Sequence, residues 1–392
     1  MGIFSPKRIY ADWAATTPLH PVVRRAMRCA ERFTANPSAI HTEGVRAKKA
    51  LEEARLMAAR AIGIKPAEVY FTSGGTESNA TIIQGVIRTF LEKGIAPQAI
   101  HVISSTIEHS SILETLSVFE KHGVRVSYVT PNIEGIVNPE HILSLITPET
   151  VLVTCMYANN EIGTIQPISK IGAGIRKIKG ETLREYPVFH SDASQAPLWL
   201  SCDMEGLRVD AMTLDGHKMQ GPKGVGALMV RSHVAFLPLM VGGGQEKGKR
   251  PTTESISLVI GFAEALRKAQ SERESNTKQA RLIQEYFFSQ IKQYLPEAVI
   301  NGSVDKRLPN NVNISLPHVS DPEFAVLFLD KHGVACSTKS SCLKGEEYSY
   351  VVQTLGGDAW RAQNTLRFTF SPRSTKRQID RIIKLLVKLP KF

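Results

Sequence analysis

The sequence predicts an α/β protein built on a large, mainly parallel seven-stranded sheet, with a smaller α+β unit at its C-terminal end. Three observations carry this. Seven short apolar runs punctuate the first two-thirds of the chain, and segments with apolar residues at helical spacing lie between them. After about Gly261 the texture changes to one long amphipathic stretch followed by fewer, more widely spaced strands. Regular strand–helix alternation is the pattern of a layered α/β domain with a parallel sheet.

The runs that read as buried strands are 69–73, 99–105, 124–130, 151–158, 186–192, 210–215 and 226–230. Helical spacing recurs over 44–61, 77–93, 107–121, 138–147 and 166–178. In the first of these, Ala47, Leu51, Ala54, Ala58 and Ala61 share one face. Beyond Gly261 the amphipathic stretch runs to about Leu295. A strand at 312–317, a helix at 321–331, a strand at 367–370 and a closing helix from about Thr375 follow. Ile379, Ile382, Ile383, Leu386 and Leu389 would form the inner face of that last helix. The expected division is a large domain over 16–262 and a small one combining 1–15 with 263–392.

With 392 residues, 42% hydrophobic and 22% charged, the chain reads as an ordinary soluble globular protein. No stretch approaches the roughly 18 to 20 apolar residues that span a bilayer. The N-terminus has no apolar segment of the secretory kind, and Gly2 with nearby Ser5 is a weak acylation pattern. Five cysteines without a CxxC pair argue against a disulfide framework and an ordinary zinc site, so no metal is expected. Cys29, Cys155 and Cys202 read as small core residues, and the compartment as reducing cytoplasm. The net charge of +11 comes from scattered Lys and Arg, which reads as a solvated basic surface. No direct nucleic-acid binding is expected, and an acidic protein partner stays open.

In an open parallel sheet, ligands gather beyond the carboxyl ends of the strands, so chemistry is sought just after each apolar run. The first is followed by GGTESNA, where Gly75 and Thr76 lead into a helix. Free backbone N–H groups there suit a phosphate, although a plain turn capped by Thr76 reads equally well. His109 starts the helix after the second run, as a ligand-facing ring or a structural histidine. NNEIG, beginning at Asn159, offers amides to a ligand or simply forms a turn. Asp192 ends an apolar strand, where its carboxylate needs a partner: a protonated ring nitrogen, or a Lys or Arg from elsewhere. Lys218 lies between His217 and a glycine-rich turn, just after a buried strand. Desolvation there would favour the neutral amine that imine chemistry needs; the alternative is a surface lysine. Near the other end, the Ser/Thr/Gly-rich segment 333–345 holds Cys336 and Cys342. Cys342 sits in its polar part, as a candidate nucleophile or an incidental thiol, while Cys336 follows an apolar run and reads as buried. Arg367, within an apolar strand, would meet an anion, either a ligand carboxylate or a structural acid.

The motifs ADWAATTP, FTSGGTESN, EHSS, NNEIG, HSDASQ, GHKMQGPKG, VGGGQEKGKRPTT, STKSSC and LRFTFS fall in one order over nearly the whole chain. In this the sequence closely resembles the cysteine desulfurases, fold-type I pyridoxal phosphate (PLP)-dependent transferases of the class V aminotransferase-like family. The resemblance implies that Lys218 bonds to PLP and that Asp192 keeps the pyridine nitrogen protonated, so that the ring remains an electron sink. It implies that Gln195 contacts the ring hydroxyl and that His109 stacks on the ring and helps move protons. Gly75, Thr76 and His217 would bind the phosphate, with Thr253 reaching in from a second subunit of a homodimer. Asn159 and Arg367, helped by Asn36, would hold the carboxylate of L-cysteine, and Asn159 would also touch the cofactor. Cys342 would take the sulfur as a persulfide, leaving alanine, and pass it to an iron–sulfur scaffold or a tRNA-thiolation enzyme.

Four departures accompany the resemblance. Asp215 stands where the family commonly has a phosphate-donating Ser; a carboxylate beside a dianion is repulsive, so it would turn away, pair with a base or be protonated. Lys339 replaces a common Gly in the cysteine loop, where it would lower the Cys342 pKa or point to water, and RPTT at 250–253 replaces a more usual RSGT. The chain stops at Phe392, short of the extension that many relatives dock on a scaffold, and the Cys342–Arg367 spacing resembles the long-loop group. The competing expectations are a selenocysteine lyase or an aminotransferase of the same fold, and a non-catalytic scaffold on that fold.

Overall fold

The computed structural model describes residues 8–319, 321–339 and 348–390 of the chain. Its strands are β1 (Ile9–Tyr10), β2 (Val69–Thr72), β3 (His101–Ser105), β4 (Arg125–Val129), β5 (Thr150–Thr154), β6 (Val188–Asp192), β7 (Ala211–Asp215), β8 (Gly226–Val230), β9 (Val299–Ile300), β10 (Asn311–Ser315), β11 (Val334–Ala335) and β12 (Thr365–Thr369). Seven of them form the main sheet in the order β2-β8-β7-β6-β5-β3-β4. The pairs from β7 through β4 are parallel, while β8 runs antiparallel to both β7 and β2. Only a short segment, 216–225, links β7 to β8. A parallel return needs a crossover of a dozen residues or more, so this link can only fold back.

Every residue of β3, β5, β6, β7 and β8 is buried, as expected of a sheet covered on both faces. Alternate side chains serve separate cores. Ile103, Val153, Phe189, Met212 and Met229 join one cluster, and Val102, Leu152, Val188, Ala211 and Leu228 join the other. β3 has β4 on one side and β5 on the other, so the connections change direction there. Such a switch opens a crevice at the carboxyl ends of the strands.

The helix Ile256–Tyr294 is 39 residues long. Phe262, Leu266 and Ala269 pack on the sheet's core, whereas Ile283, Phe287 and Ile291 pack on a second core. That second core covers a three-stranded antiparallel sheet, β12-β10-β9, and the parallel pair β1-β11. The helix continues unbroken across positions 262 and 263. The closing helix Lys376–Leu386 buries Ile379, Ile382, Ile383 and Leu386.

A helix absent from the periodicity reading, Pro21–Ala30, starts with Pro21 in its first turn and His20 accepting from the Val22 N–H. Its buried positions are Val23 and Ala30. Cys29 lies off that face and is exposed, which corrects its expected place in the core. Cys155 and Cys202 are buried.

Under β2, Arg55 forms a forked pair with Glu246 (2.7 and 2.8 Å) and also donates to the Val69 carbonyl. Glu246 in turn accepts from the Phe71 N–H. Removing one partner leaves the other charge buried and uncompensated. Arg55→Ala is therefore expected to destabilise the fold by about 3–5 kcal/mol, measured by denaturant unfolding.

Candidate active site

The carboxyl ends of β2, β3, β5, β6 and β7 deliver side chains to one cleft. Lys218 enters from the turn after β7, and its Nζ donates to the Ala14 and Ala15 carbonyls, the latter at 2.8 Å. Asp192 ends β6. It is 8% exposed and accepts from Asn79 Nδ2 at 2.8 Å and the Ser194 N–H at 2.9 Å. Among the described residues no cation pairs with it, so the Lys or Arg partner weighed from the sequence is not what holds this carboxylate. Gln195 lines the cleft and donates to the Ala14 carbonyl. His109 caps the helix Ser110–Lys121: its Nδ1 accepts from the Ser111 N–H, which fixes the ring at the cleft wall.

Gly75 and Thr76 open the helix Gly75–Leu91 at one end of the cleft. There Asp215, the last residue of β7, turns inward and pairs with a base, the second of its three expected alternatives: its Oδ2 accepts from the Gly75 N–H at 2.9 Å and its Oδ1 meets His217. Its Oδ1 lies 3.3 Å from both the backbone nitrogen and the ring Nε2 of His217. His217 Nδ1 meets Thr16 Oγ1 at 3.1 Å. Burial would raise the Asp215 pKa, but His217, the Gly75 N–H and Lys218 outweigh it and hold the carboxyl below its usual range.

At the other wall lies Arg367, 1% exposed, in β12. One guanidinium nitrogen donates to the Asn160 carbonyl and another to Asp12 Oδ1, both at 2.9 Å. Its Nε is buried without a partner among the described residues. The Asp12 pairing satisfies the expectation of a structural acid, and the place in the cleft leaves room for a ligand anion as well.

Behind the cleft, Glu108 accepts from Ser105 Oγ and the Met156 N–H. Burial pushes its pKa up to about 8 against these bonds, with Asp192 adding repulsion. An acid whose folded pKa is raised binds a proton that the unfolded chain has released, so its contribution to stability falls as pH climbs from about 4.5 to about 8. Wild-type protein is expected to lose stability relative to Glu108→Gln across that window, by a few kcal/mol, in denaturant titrations at successive pH values.

Three expected site residues lie elsewhere. The Asn159 side chain is not on the cleft wall: its Oδ1 accepts from the Glu161 and Ile162 N–H groups, and its Nδ2 donates to the Ile107 carbonyl. Asn160 lines the cleft in its place, with a buried Oδ1 that has no partner among the described residues. Asn36 is exposed and accepts from the Ser38 N–H. Thr253 is exposed within this single chain. Cys342 lies outside the described residues. The residues that sequence reasoning missed are Asn79, Ser111 and Ser194; of these, Asn79 gave a signal, being a polar residue inside an apolar helical face.

The family model for aminotransferase class-V matches residues 9–382. A cysteine desulfurase IscS of Dictyoglomus turgidum is 36% identical over 387 residues, covering 98% of this chain and 94% of that one. The chain belongs to the cysteine desulfurases of the aminotransferase class-V family. A desulfurase IscS of Methanosarcina thermophila is similar to it at 36% identity, over 98% of this chain and 92% of the other. Among solved structures, a NifS-like protein superposes with a TM-score of 0.89 at 30% identity, covering 97% of this chain and 99% of that one. A structure named "SspA in complex with cysteine" matches with a TM-score of 0.78 at 31% identity, over 94% and 100% of the two chains. The α/β architecture with its seven-stranded sheet is thus that of the fold-type I PLP enzymes.

The desulfurase family works with PLP, and the cleft fits most of that group. Asp192, a buried carboxylate with no cation beside it among the described residues, would suit a protonated ring nitrogen, and Lys218 would be the amine to hold the cofactor. Buried polar atoms without partners among the described residues, Ser194 Oγ and Asn79 Oδ1, stand on residues lining the same cleft. Only the phosphate end carries an unexpected group, the Asp215 carboxylate.

Proposed function

We propose that this cleft takes sulfur from L-cysteine, releases L-alanine and leaves the sulfur on the Cys342 thiol as a persulfide. The observation that carries the reading is the convergence of Lys218, Asp192, His109 and Arg367, from four separate segments, on one cleft. Bound PLP would withdraw electrons from the substrate, acidifying Cα–H and weakening the Cβ–S bond. Lys218 would bond to the cofactor, and Asp192 would hold the proton on the ring nitrogen. His109 stands where it can exchange a proton at its free ring nitrogen, since Nδ1 is taken by Ser111. Arg367 offers its unpaired Nε to the substrate carboxylate.

The sum of the reaction balances without an outside oxidant: cysteine and a thiol become alanine and a persulfide. The described thiols are poor acceptors. Burial raises Cys155 well above its ordinary value, pushes Cys202 up to about 12, and does the same for Cys336, aided by Asp12. Cys29 lies off the cleft. Near the cleft, the backbone of Ser337 pairs with that of Arg367, and the Thr338 carbonyl accepts from Thr365 Oγ1. Four residues of chain, the separation from Thr338 to Cys342, span at most about 14 Å. That tether favours Cys342 as the sulfur acceptor.

The same reading includes a homodimer in which Thr253 of the partner subunit completes the phosphate end. It also includes delivery of the persulfide to an iron–sulfur scaffold or a tRNA-thiolation enzyme, in a cytoplasmic setting. The two-domain division at 262/263 belongs to it too, with the long helix shared between both units. The experiment is to incubate PLP-loaded protein with L-cysteine and a reducing thiol. Alanine and sulfide in equal amounts are expected. A keto acid without sulfide would instead mean transamination.

A further inference from the structure

Two of the donors that should receive the cofactor's phosphate are already engaged by a residue of this chain. The Gly75 N–H, at the start of its helix, points at Asp215 Oδ2, and the His217 ring nitrogen Nε2 lies against Asp215 Oδ1. The approach is close: a methyl group placed on Gly75 would meet Asp215 Oδ2 and Ser194 Oγ, each at 3.2 Å. A phosphate monoester is largely a dianion at neutral pH, with a second pKa near 6. To reach these donors it must come against an ionised carboxylate.

We propose that Asp215 couples cofactor loading to a proton: the phosphate of PLP enters this turn sharing one proton with the Asp215 carboxylate, so the site discriminates against the fully ionised phosphate. The inference rests on the PLP reading and deepens it. The titratable groups facing Asp215 are His217, Lys218 and, across the cleft, Asp192 and His109. Both His217 ring nitrogens already have partners, Asp215 and Thr16, so a phosphate reaching this ring must compete with the Asp215 carboxylate. A shared proton converts two like charges into one short hydrogen bond of the O–H···O⁻ type. At low pH that proton is already on the free phosphate; at higher pH it must be taken from solvent. Loading therefore weakens as pH rises, opposite to what a cluster of neutral donors would give.

The test measures binding of PLP, and of pyridoxal, which lacks the phosphate, to the cofactor-free full chain by equilibrium dialysis from pH 6 to 8.5. The ratio of the two affinities removes the pH dependence of bond formation at Lys218, which both ligands share. For wild type the ratio should fall about tenfold per pH unit above pH 7, the slope of one proton. For Asp215→Asn, and for Asp215→Ser as a second variant, it should be flat and about tenfold or more higher at pH 8. A flat ratio in wild type, or an unchanged slope in both variants, overturns the proposal while leaving the PLP reading standing. Failure of both ligands to bind at any pH would remove the PLP reading, and this inference with it.

Discussion

Lys218→Ala should lower alanine formation from L-cysteine by on the order of 10³-fold or more, the scale seen when a group that bonds to the reacting system is removed. The amine is the only lysine nitrogen lining the cleft among the described residues. In the structure it is held by two backbone carbonyls from the segment 14–15, which aims it inward across the site. Alanine at this position removes the donor without touching Asp192 or Arg367, so the substrate-facing wall should persist. The cofactor's visible absorbance should fall to that of loosely bound PLP and wash out on dialysis. A variant that keeps both its colour after dialysis and its turnover would mean that another amine serves.

Cys342→Ser should abolish desulfurisation to a similar degree while leaving the cofactor bound and its spectrum intact. A hydroxyl at pH 7 is a far weaker nucleophile toward sulfur than a thiol with some thiolate character. L-cysteine should still bind through Arg367, so the expected signature is lost turnover with retained substrate-induced spectral change. Cys336→Ser should lose little activity, because that thiol is buried and its ionisation suppressed. If Cys342→Ser turns over normally, sulfur transfer to this residue is not the reaction.

Much of this site is legible in the sequence because parallel sheets place chemistry at strand ends. Asp192 and Lys218 could be picked out as residues terminating or following apolar runs, and the structure puts both in one cleft. Arg367 was legible as a charged residue inside an apolar strand. Its partner Asp12, 355 residues away, was not, since no local pattern joins a strand near the C-terminus to the N-terminal segment. The choice between Asn159 and Asn160 was equally beyond local reasoning. It depends on which amide the turn consumes, and here Asn159 caps Glu161 and Ile162 while Asn160 faces the cleft. Asp215 was legible as an oddity, but not its direction. Only the fold shows that the Gly75 N–H and His217 draw it inward. Cys29 is exposed because its short helix turns Val23 and Ala30, not Cys29, toward the core.

The most direct measurement of the central claim is peptide mapping by mass spectrometry after PLP-loaded protein has been exposed to L-cysteine and its thiols trapped by alkylation. One added sulfur on the peptide carrying Cys342, absent from Lys218→Ala, is the predicted result. Added sulfur on the Cys336 peptide alone, or on none while alanine accumulates, would contradict it.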